Sequence, residues 1–482
     1  MEPPPLSLKA GAMEIIVETR PGKLRGLLED GVAVFRGVPY AAPPFGELRF
    51  CAPEPPPPWE GVRDALANGP TAAKRGYRPP LDEILAEVAI PGEDCLNLNL
   101  WTPGLDGRRP VMVWIHGGSN RNGSNAVPLY DGSTFARDGV VMVAINYRLG
   151  VEGWASFPDA PDNRGLLDQI AALTWVRENI EAFGGDPDNV TVFGESAGAI
   201  DLGVLLGIPA ARRLLNRAII QSGGPAAGHR AAVRKATGQI ARRLGVPATA
   251  AAFADVDQER LLDAQAAVMS RSGLAGGPEL GPVIDGELVA GPPEENVDPE
   301  VEVLIGHTTE EYRLWFVPTG GVDRMGPLMA RLAMLKMGVK GRIWRGYKAL
   351  YQGAKPGEVF GLVLTDRLVR LANRRLAEGR PIGRTWLYEF AWRSPERDLG
   401  AAHAMEIPFV FDALAMPESR WMVGENPPQG LADEMHAAWV RFAITGEPGW
   451  PAWNPSTRPT MVFDAESAVV EDHRAEVHAL WV

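Results

Sequence analysis

Short, near-continuous apolar runs alternate along this chain with longer segments in which apolar residues recur every three or four positions. Leu96–Trp101, Val111–His116, Val140–Tyr147, Val190–Phe193, Arg217–Gln221, Val301–Ile305 and Thr385–Trp392 are runs of strand length. A strand that is apolar on both faces is covered on both, as in parallel sheets. Before Val190–Phe193, the residues Leu166, Leu167, Ile170, Leu173, Val176 and Ile180 step at helical spacing, and Gly184-Gly185-Asp186-Pro187 ends that helix. This alternation predicts an α/β protein with a mostly parallel central sheet flanked by helices. Glu14–Thr19 and Val32–Tyr40, bounded by Pro and Gly, predict an antiparallel edge. Residues 231–280 and 323–380 lack a strand signal and predict helical insertions over the sheet, and Leu431–Ile444 predicts a further amphipathic helix. No polar linker divides the chain and no solenoid period repeats, so residues 1–482 read as a single domain. Residues 1–12, with Pro3, Pro4 and Pro5, read as a flexible arm.

Composition narrows the function classes. Apolar residues are 45% and charged residues 22%, the balance of a globular protein. The net charge of −12 argues against a nucleic-acid surface, which needs a positive excess. No apolar run approaches the length of a membrane span, and the first residues lack the basic and apolar regions of a secretory signal. A cytoplasmic protein, monomeric or homodimeric, is expected. Two cysteines, Cys51 and Cys95, exclude a disulfide framework and a Cys-x-x-Cys zinc site.

The sharpest local motif is Gly194-Glu195-Ser196-Ala197-Gly198. A β-branched strand precedes it and a helix-compatible segment follows, the setting of a nucleophile elbow. Ser196 would then present its hydroxyl at a helix N-terminus. The strand Val111–Ile115 runs into His116-Gly117-Gly118-Ser119-Asn120. Glycines past a strand end free backbone N–H groups for a ligand, and acyl transfer needs such donors where oxyanion charge develops. Gly117, Gly118, Ser119 and Ala197 are the candidates, and His116 reads as a residue that fixes the loop by hydrogen bonding. Serine needs a base, and in this strand–turn–helix arrangement the order is Ser, acid, His. Of the seven histidines, His229 leaves little room for an intervening acid, and His307 lies in the loop expected after Val301–Ile305. His436 falls on the amphipathic helix, while His473 and His478 fall in the C-terminal tail. His403, in the small-residue loop Gly400–Pro408, is the favoured base. Glu310 and Glu311 are both candidates for the acid.

These residues resemble the type-B carboxylesterase family of the α/β-hydrolase superfamily, which includes para-nitrobenzyl-type esterases, phenylcarbamate hydrolases and cholinesterases. The resemblance rests on Phe35-Arg-Gly-Val-Pro-Tyr-Ala41, Pro44–Phe50, Glu93–Trp101, Asn146–Gly150, Gly165–Gln169, Phe183–Pro187, Gln221-Ser-Gly223, Pro282–Gly286 and Ala402–Phe409. It implies a serine hydrolase that cleaves small carboxylic esters through an acyl-enzyme, with helical insertions forming a gorge over the site. It assigns Ser196 as nucleophile, His403 as base and Glu311 rather than Glu310 as acid, with Tyr312 where the family usually has Gly. Oxyanion donors map to Gly118, Ser119 and Ala197, Gly117 supports the turn, and Glu195 shapes the field of the site. No metal or cofactor is implied.

The resemblance also implies structural ion pairs, Arg49 with Glu93 and Arg148 with Asp168. Secreted relatives pair the cysteine matching Cys95 with one near Ala72; that partner is absent, so no disulfide is expected. Ser119-Asn120 replaces the usual small residue and aromatic, which implies a more polar pocket wall. No Trp lies between Ala72 and Gly92, which speaks against a cholinesterase-like cation site. Trp154, Trp315 and Phe316 read as core packing. The base implies an acidic limb in the pH profile at about 6–7. Three alternatives remain: an aryl carbamate or amide hydrolase on the same triad, a non-catalytic binding member of the fold, and a stress or assembly protein with incidental esterase activity.

Overall fold

In the computed structural model, which describes residues 13–269 and 280–482, the apolar runs become neighbours in one sheet. The arm expected over residues 1–12 and the end of the helical block expected over 231–280 lie outside the described residues. Val141–Ile145, Arg109–Ile115, Gly185–Glu195, Arg217–Gln221, Glu302–Thr308, Thr385–Phe390 and Pro459–Phe463 lie side by side in that order, all parallel. Met13–Glu18, Lys23–Glu29, Val32–Pro39 and Asn97–Thr102 extend one side in antiparallel fashion, and Ala468–Glu471 extends the other.

Side chains of one strand point alternately to opposite faces. Val111, Val113 and Ile115 therefore enter one apolar cluster while Met112 and Trp114 enter another. The helices Arg164–Asn179 and Ala197–Leu205 cover the first face through Leu166, Leu173, Val176 and Leu202. The helix Gln429–Thr445 covers the second through Leu431, Met435, Trp439 and Phe442. With both faces roofed, the central strands can be apolar throughout.

Both helical insertions form. The first comprises Arg230–Leu244, Ala250–Ala254 and Gln258–Met269. The second comprises Pro327–Lys336, Gly341–Leu350, Pro356–Thr365 and Leu371–Glu378. The second has its own apolar cluster, which includes Tyr312, the residue after Glu311. Gly361 makes room for it, since a Cβ there would lie 2.1 Å from the Tyr312 ring.

The ion pairs divide. Arg148 meets Asp168 as expected, through Nε at 2.8 Å and Nη2 at 2.7 Å, both residues buried. Arg49 does not meet Glu93, which is exposed. It binds Glu152 at 2.8 Å and the carbonyls of Ala254 and Val256. A guanidinium has five donors, and a carboxylate with two carbonyls satisfies more of them than one solvated carboxylate would. His307 is inside the strand Glu302–Thr308, not in the loop after it.

From Arg109–Ile115 the chain passes to Val141–Ile145 on one side, then returns to Gly185–Glu195 on the other. Where strand order reverses in this way, a crevice opens at the carboxyl ends of the strands. His116 follows one of those ends and Ser196 the other. Among the described residues, no helix is long and apolar enough to cross a membrane.

Candidate active site

Ser196 stands between the strand Gly185–Glu195 and the helix Ala197–Leu205 with φ 56° and ψ −121°. A non-glycine residue held there carries backbone strain, and the flanking glycines show what enforces it. A Cβ on Gly198 would lie 2.1 Å from the Ile115 carbonyl oxygen, and one on Gly194 would lie 2.8 Å from Gly198. The turn is therefore too tight for side chains at either position. The Ser196 N–H donates to the Gln221 carbonyl at 2.9 Å, which fixes the turn to the next strand. Ala197 is the first residue of the helix, where N–H groups lack intrahelical acceptors.

The loop after Ile115 abuts this turn. A Cβ on Gly117 would lie 3.0 Å from Ser196 Cβ and 2.7 Å from Glu195 Oε2. Gly118 has φ 107°, and a Cβ there would collide with the Asn122 carbonyl at 2.3 Å. Ser119 and Asn120 follow with φ 55° each. His116 fixes the loop as expected, with Nδ1 donating to the Gly117 carbonyl at 2.8 Å and its ring stacked on Tyr147. Asn120 corrects the sequence reading. It is buried and does not form a polar pocket wall. Its Nδ2 donates to Asp201 Oδ1 at 3.3 Å, and its Oδ1 accepts from the Tyr147 hydroxyl at 3.3 Å. The left-handed backbone at two successive residues turns this side chain inward. Gln169 also donates to Asp201, at 2.8 Å. With two amides and no cation as partners, burial pushes the Asp201 carboxyl up to about 7.

His403 brings the rest together. Its Nε2 accepts from Ser196 Oγ at 2.7 Å, and its Nδ1 donates to Glu311 Oε2 at 2.5 Å. Glu311 also accepts from the Thr308 N–H at 2.8 Å, which holds the carboxylate at the strand end. Glu195 Oε1 lies 3.0 Å from His403 Nε2. Burial disfavours the imidazolium, but Glu195 and Glu311 outweigh it and hold the His403 pKa well above its ordinary value. From that direction an acidic limb above about 6–7 is the outcome to test. Glu310, the other candidate acid, faces away and pairs with Arg313 at 3.6 Å and with Arg393.

Glu406 was missing from the sequence reading. It is fully buried, 3.4 Å from Ser222 Oγ and 3.5 Å from Gln221 Nε2. Burial, then the nearby Glu195 and Glu311, push its carboxyl up to about 8. The signal was a lone acid in the apolar run Ala404–Phe411, three residues past His403. Burial also raises Glu195, against the pull of His403, whereas His403 and the Thr308 N–H overcome burial and lower Glu311. Unequal environments thus separate three neighbouring carboxyls. Trp315, read as core, is half-buried with its ring 4.7 Å from that of His403. Phe316 and Trp154 do pack internally, on Tyr312 and Phe360 and on Tyr147. His436 is buried, with Nδ1 donating to the Val410 carbonyl.

Residues 13–326 match the model of the carboxylesterase family. The chain is 37% identical to a para-nitrobenzyl esterase of Bacillus subtilis (strain 168), over 96% of this chain and 97% of that protein. It is 37% identical to a phenmedipham hydrolase of Pseudarthrobacter oxydans, over 94% of this chain and 96% of that one. A crystal structure of a Geobacillus stearothermophilus carboxylesterase superposes with a TM-score of 0.87 at 37% identity, covering 97% of this chain and all of that one.

Proposed function

The chain belongs to the carboxylesterase family, and from that premise we propose that Ser196, His403 and Glu311 are its catalytic triad. The protein is a carboxylic ester hydrolase with the α/β-hydrolase fold. The observation that carries the residue assignment is the continuous relay from Ser196 Oγ to His403 Nε2, 2.7 Å, and from Nδ1 to Glu311, 2.5 Å. His403 takes the hydroxyl proton as Ser196 Oγ attacks the ester carbonyl carbon. Glu311 holds the Nδ1–H tautomer and stabilises the imidazolium. The amides of Gly118, Ser119 and Ala197 receive the oxyanion, with Gly117 shaping the turn. His403 then protonates the leaving alcohol, and water repeats the cycle on the acyl-enzyme. Glu195 adds negative field at His403, which makes the imidazole a stronger base.

Residues 1–482 form one domain in this reading, supported by the single sheet that holds strands from near both ends of the described chain. A cytoplasmic location is supported by the exposed free thiol of Cys51, which suits a reducing compartment. The test of function is initial rates on p-nitrophenyl esters from acetate to octanoate, with one aryl carbamate, for wild type and Ser196→Ala. Ester turnover abolished in the mutant is the expected result. A second reading, aryl carbamate hydrolysis on the same triad, draws support from the likeness to a phenmedipham hydrolase. Turnover of the carbamate with no ester turned over would replace the first reading with the second.

A further inference from the structure

The helix Pro327–Lys336 turns an apolar ridge away from the protein. Ala330 and Met334 enter the cluster beneath it, whereas Leu328, Met329, Leu332 and Leu335 are 57–71% exposed. At about 100° per residue, Leu328, Leu332 and Leu335 fall opposite the buried pair, with Arg331 on one flank and Lys336 on the other. Single exposed leucines need no explanation, but a contiguous ridge marks a contact surface.

The charge around the ridge runs against that of the whole chain. From Arg324 to Lys355 there are eight Lys and Arg and no Asp or Glu, in a protein of net charge −12. Arg331, Lys336, Lys340, Arg345 and Lys348 are exposed. None of them has a carboxylate partner among the described residues. Five solvated cations clustered on an acidic protein form a local positive field that favours an anionic surface.

We propose that this face docks peripherally on an anionic lipid bilayer, with the leucine ridge in the headgroup–acyl boundary and the flanking cations on lipid phosphates. A second copy of the chain is disfavoured, because a symmetric contact would bring these cations against their own equivalents. A convex ridge with cations on both sides also suits a deformable surface better than the shaped groove of an acidic protein. The proposal does not depend on which residues form the triad.

The test is sedimentation of the full-length protein with vesicles of phosphatidylcholine alone and with about a third phosphatidylglycerol. Anionic vesicles should bind at least about tenfold more strongly, and added salt should weaken that binding. Two triple variants, Leu328→Ser/Leu332→Ser/Leu335→Ser and Arg331→Glu/Lys336→Glu/Lys340→Glu, should each lower partitioning by about tenfold or more. Both should hydrolyse a p-nitrophenyl ester in vesicle-free buffer like wild type, which reports an intact fold. Equal binding to both vesicle types, no binding, or binding unchanged in both variants overturns the proposal. Self-association that the leucine variant abolishes, without vesicle binding, would assign the face to a second copy instead. Salt-sensitive binding to an acidic polypeptide without vesicle binding would assign it to an acidic protein.

Discussion

Two buried histidines of this molecule each face a glutamate, and the remaining neighbour decides what each can do. His403 lies between Glu311 at 2.5 Å and Glu195 at 3.0 Å. His307 lies between Glu389 at 3.2 Å and Arg370, whose Nε donates to His307 Nε2 at 2.9 Å. Burial opposes the imidazolium at both. At His403 two carboxylates reverse that effect, and the pKa rises. At His307 Arg370 reinforces it against Glu389, and the pKa falls. Arg370 Nε and Glu389 Oε2 meet at the same nitrogen of His307, so the guanidinium competes with the imidazole for the carboxylate and disfavours a second cation beside it. Glu389 spends its charge on Arg370 and on Arg474, at 2.7 Å, which overcome burial and keep it well below the ordinary carboxylate range. A buried His–Glu pair is therefore no catalytic signature alone. The chemistry needs a nucleophile within reach of the other nitrogen, and a second anion such as Glu195 tunes the base.

The largest test of that contrast is activity. Ser196→Ala or His403→Ala should lower kcat on p-nitrophenyl esters by about 10⁴- to 10⁶-fold. Glu311→Gln should cost about 10³- to 10⁴-fold, because the amide no longer favours the required tautomer. His307→Gln, by contrast, should change kcat/KM by less than about threefold, within the range of ordinary structural substitutions. Comparable losses from His307→Gln and His403→Ala would break the comparison.

The His307 region should show its importance in stability. Arg370→Met leaves Glu389 buried with Arg474 and His307 and removes one cation from the cluster. Unfolding in urea should register a loss of about 3–5 kcal/mol, with the specific activity of the folded fraction retained. A smaller loss with unchanged activity would mean that Arg474, with Thr309 and His473, suffices to hold Glu389.

The contrast between the two histidines also marks what the sequence could reveal. Ser196 and His403 follow a strand run or lie in a small-residue loop, so motif and chain order make them candidates, whereas Glu310 and Glu311 stand level until the family resemblance favours Glu311. His307 was misplaced because Gly306 concealed the continuation of its strand. The Lys23–Glu29 strand went unread for a similar reason: Gly26 breaks its apolar run, and a Cβ there would lie 2.5 Å from the Val34 carbonyl. Glu406, Asn120 and the Arg49–Glu152 pair depended on long-range packing. Nothing near Glu406 in sequence announces Ser222, and nothing near Asn120 announces Asp201. Such partners become neighbours only when the sheet is assembled.

A subtler test isolates the second anion at His403. Glu195→Gln removes one of the two charges that hold the imidazolium. The pKa of His403 should fall, so the base form persists to lower pH and the acidic limb of kcat/KM moves to lower pH. The wild-type limb should lie above the ordinary histidine value of about 6.5. An unmoved limb in Glu195→Gln would mean that Glu195 is already neutral in the working enzyme and that Glu311 alone raises His403.

The smallest expected effect extends the comparison from bases to acids. Asp168 and Asp201 are both buried carboxyls, but Asp168 has Arg148 at 2.7 Å while Asp201, among the described residues, has only the amides of Asn120 and Gln169. Its carboxyl is raised to about 7 in the folded protein, above the ordinary aspartate value. Between about pH 4 and 7 the folded state therefore binds a proton that the unfolded state has lost. Stability falls across that window, and the loss is complete above it. Asp201→Asn removes the titration while retaining an amide oxygen for Asn120 or Gln169. The variant should match wild type near pH 4 and be more stable by about 4 kcal/mol near pH 8. Melting curves of the two proteins that run parallel from about pH 5 to 8 would refute this. They would mean that Asp201 ionises in place, and that the amides beneath the Gly117–Asn120 loop serve the carboxylate nearly as well as Arg148 serves Asp168.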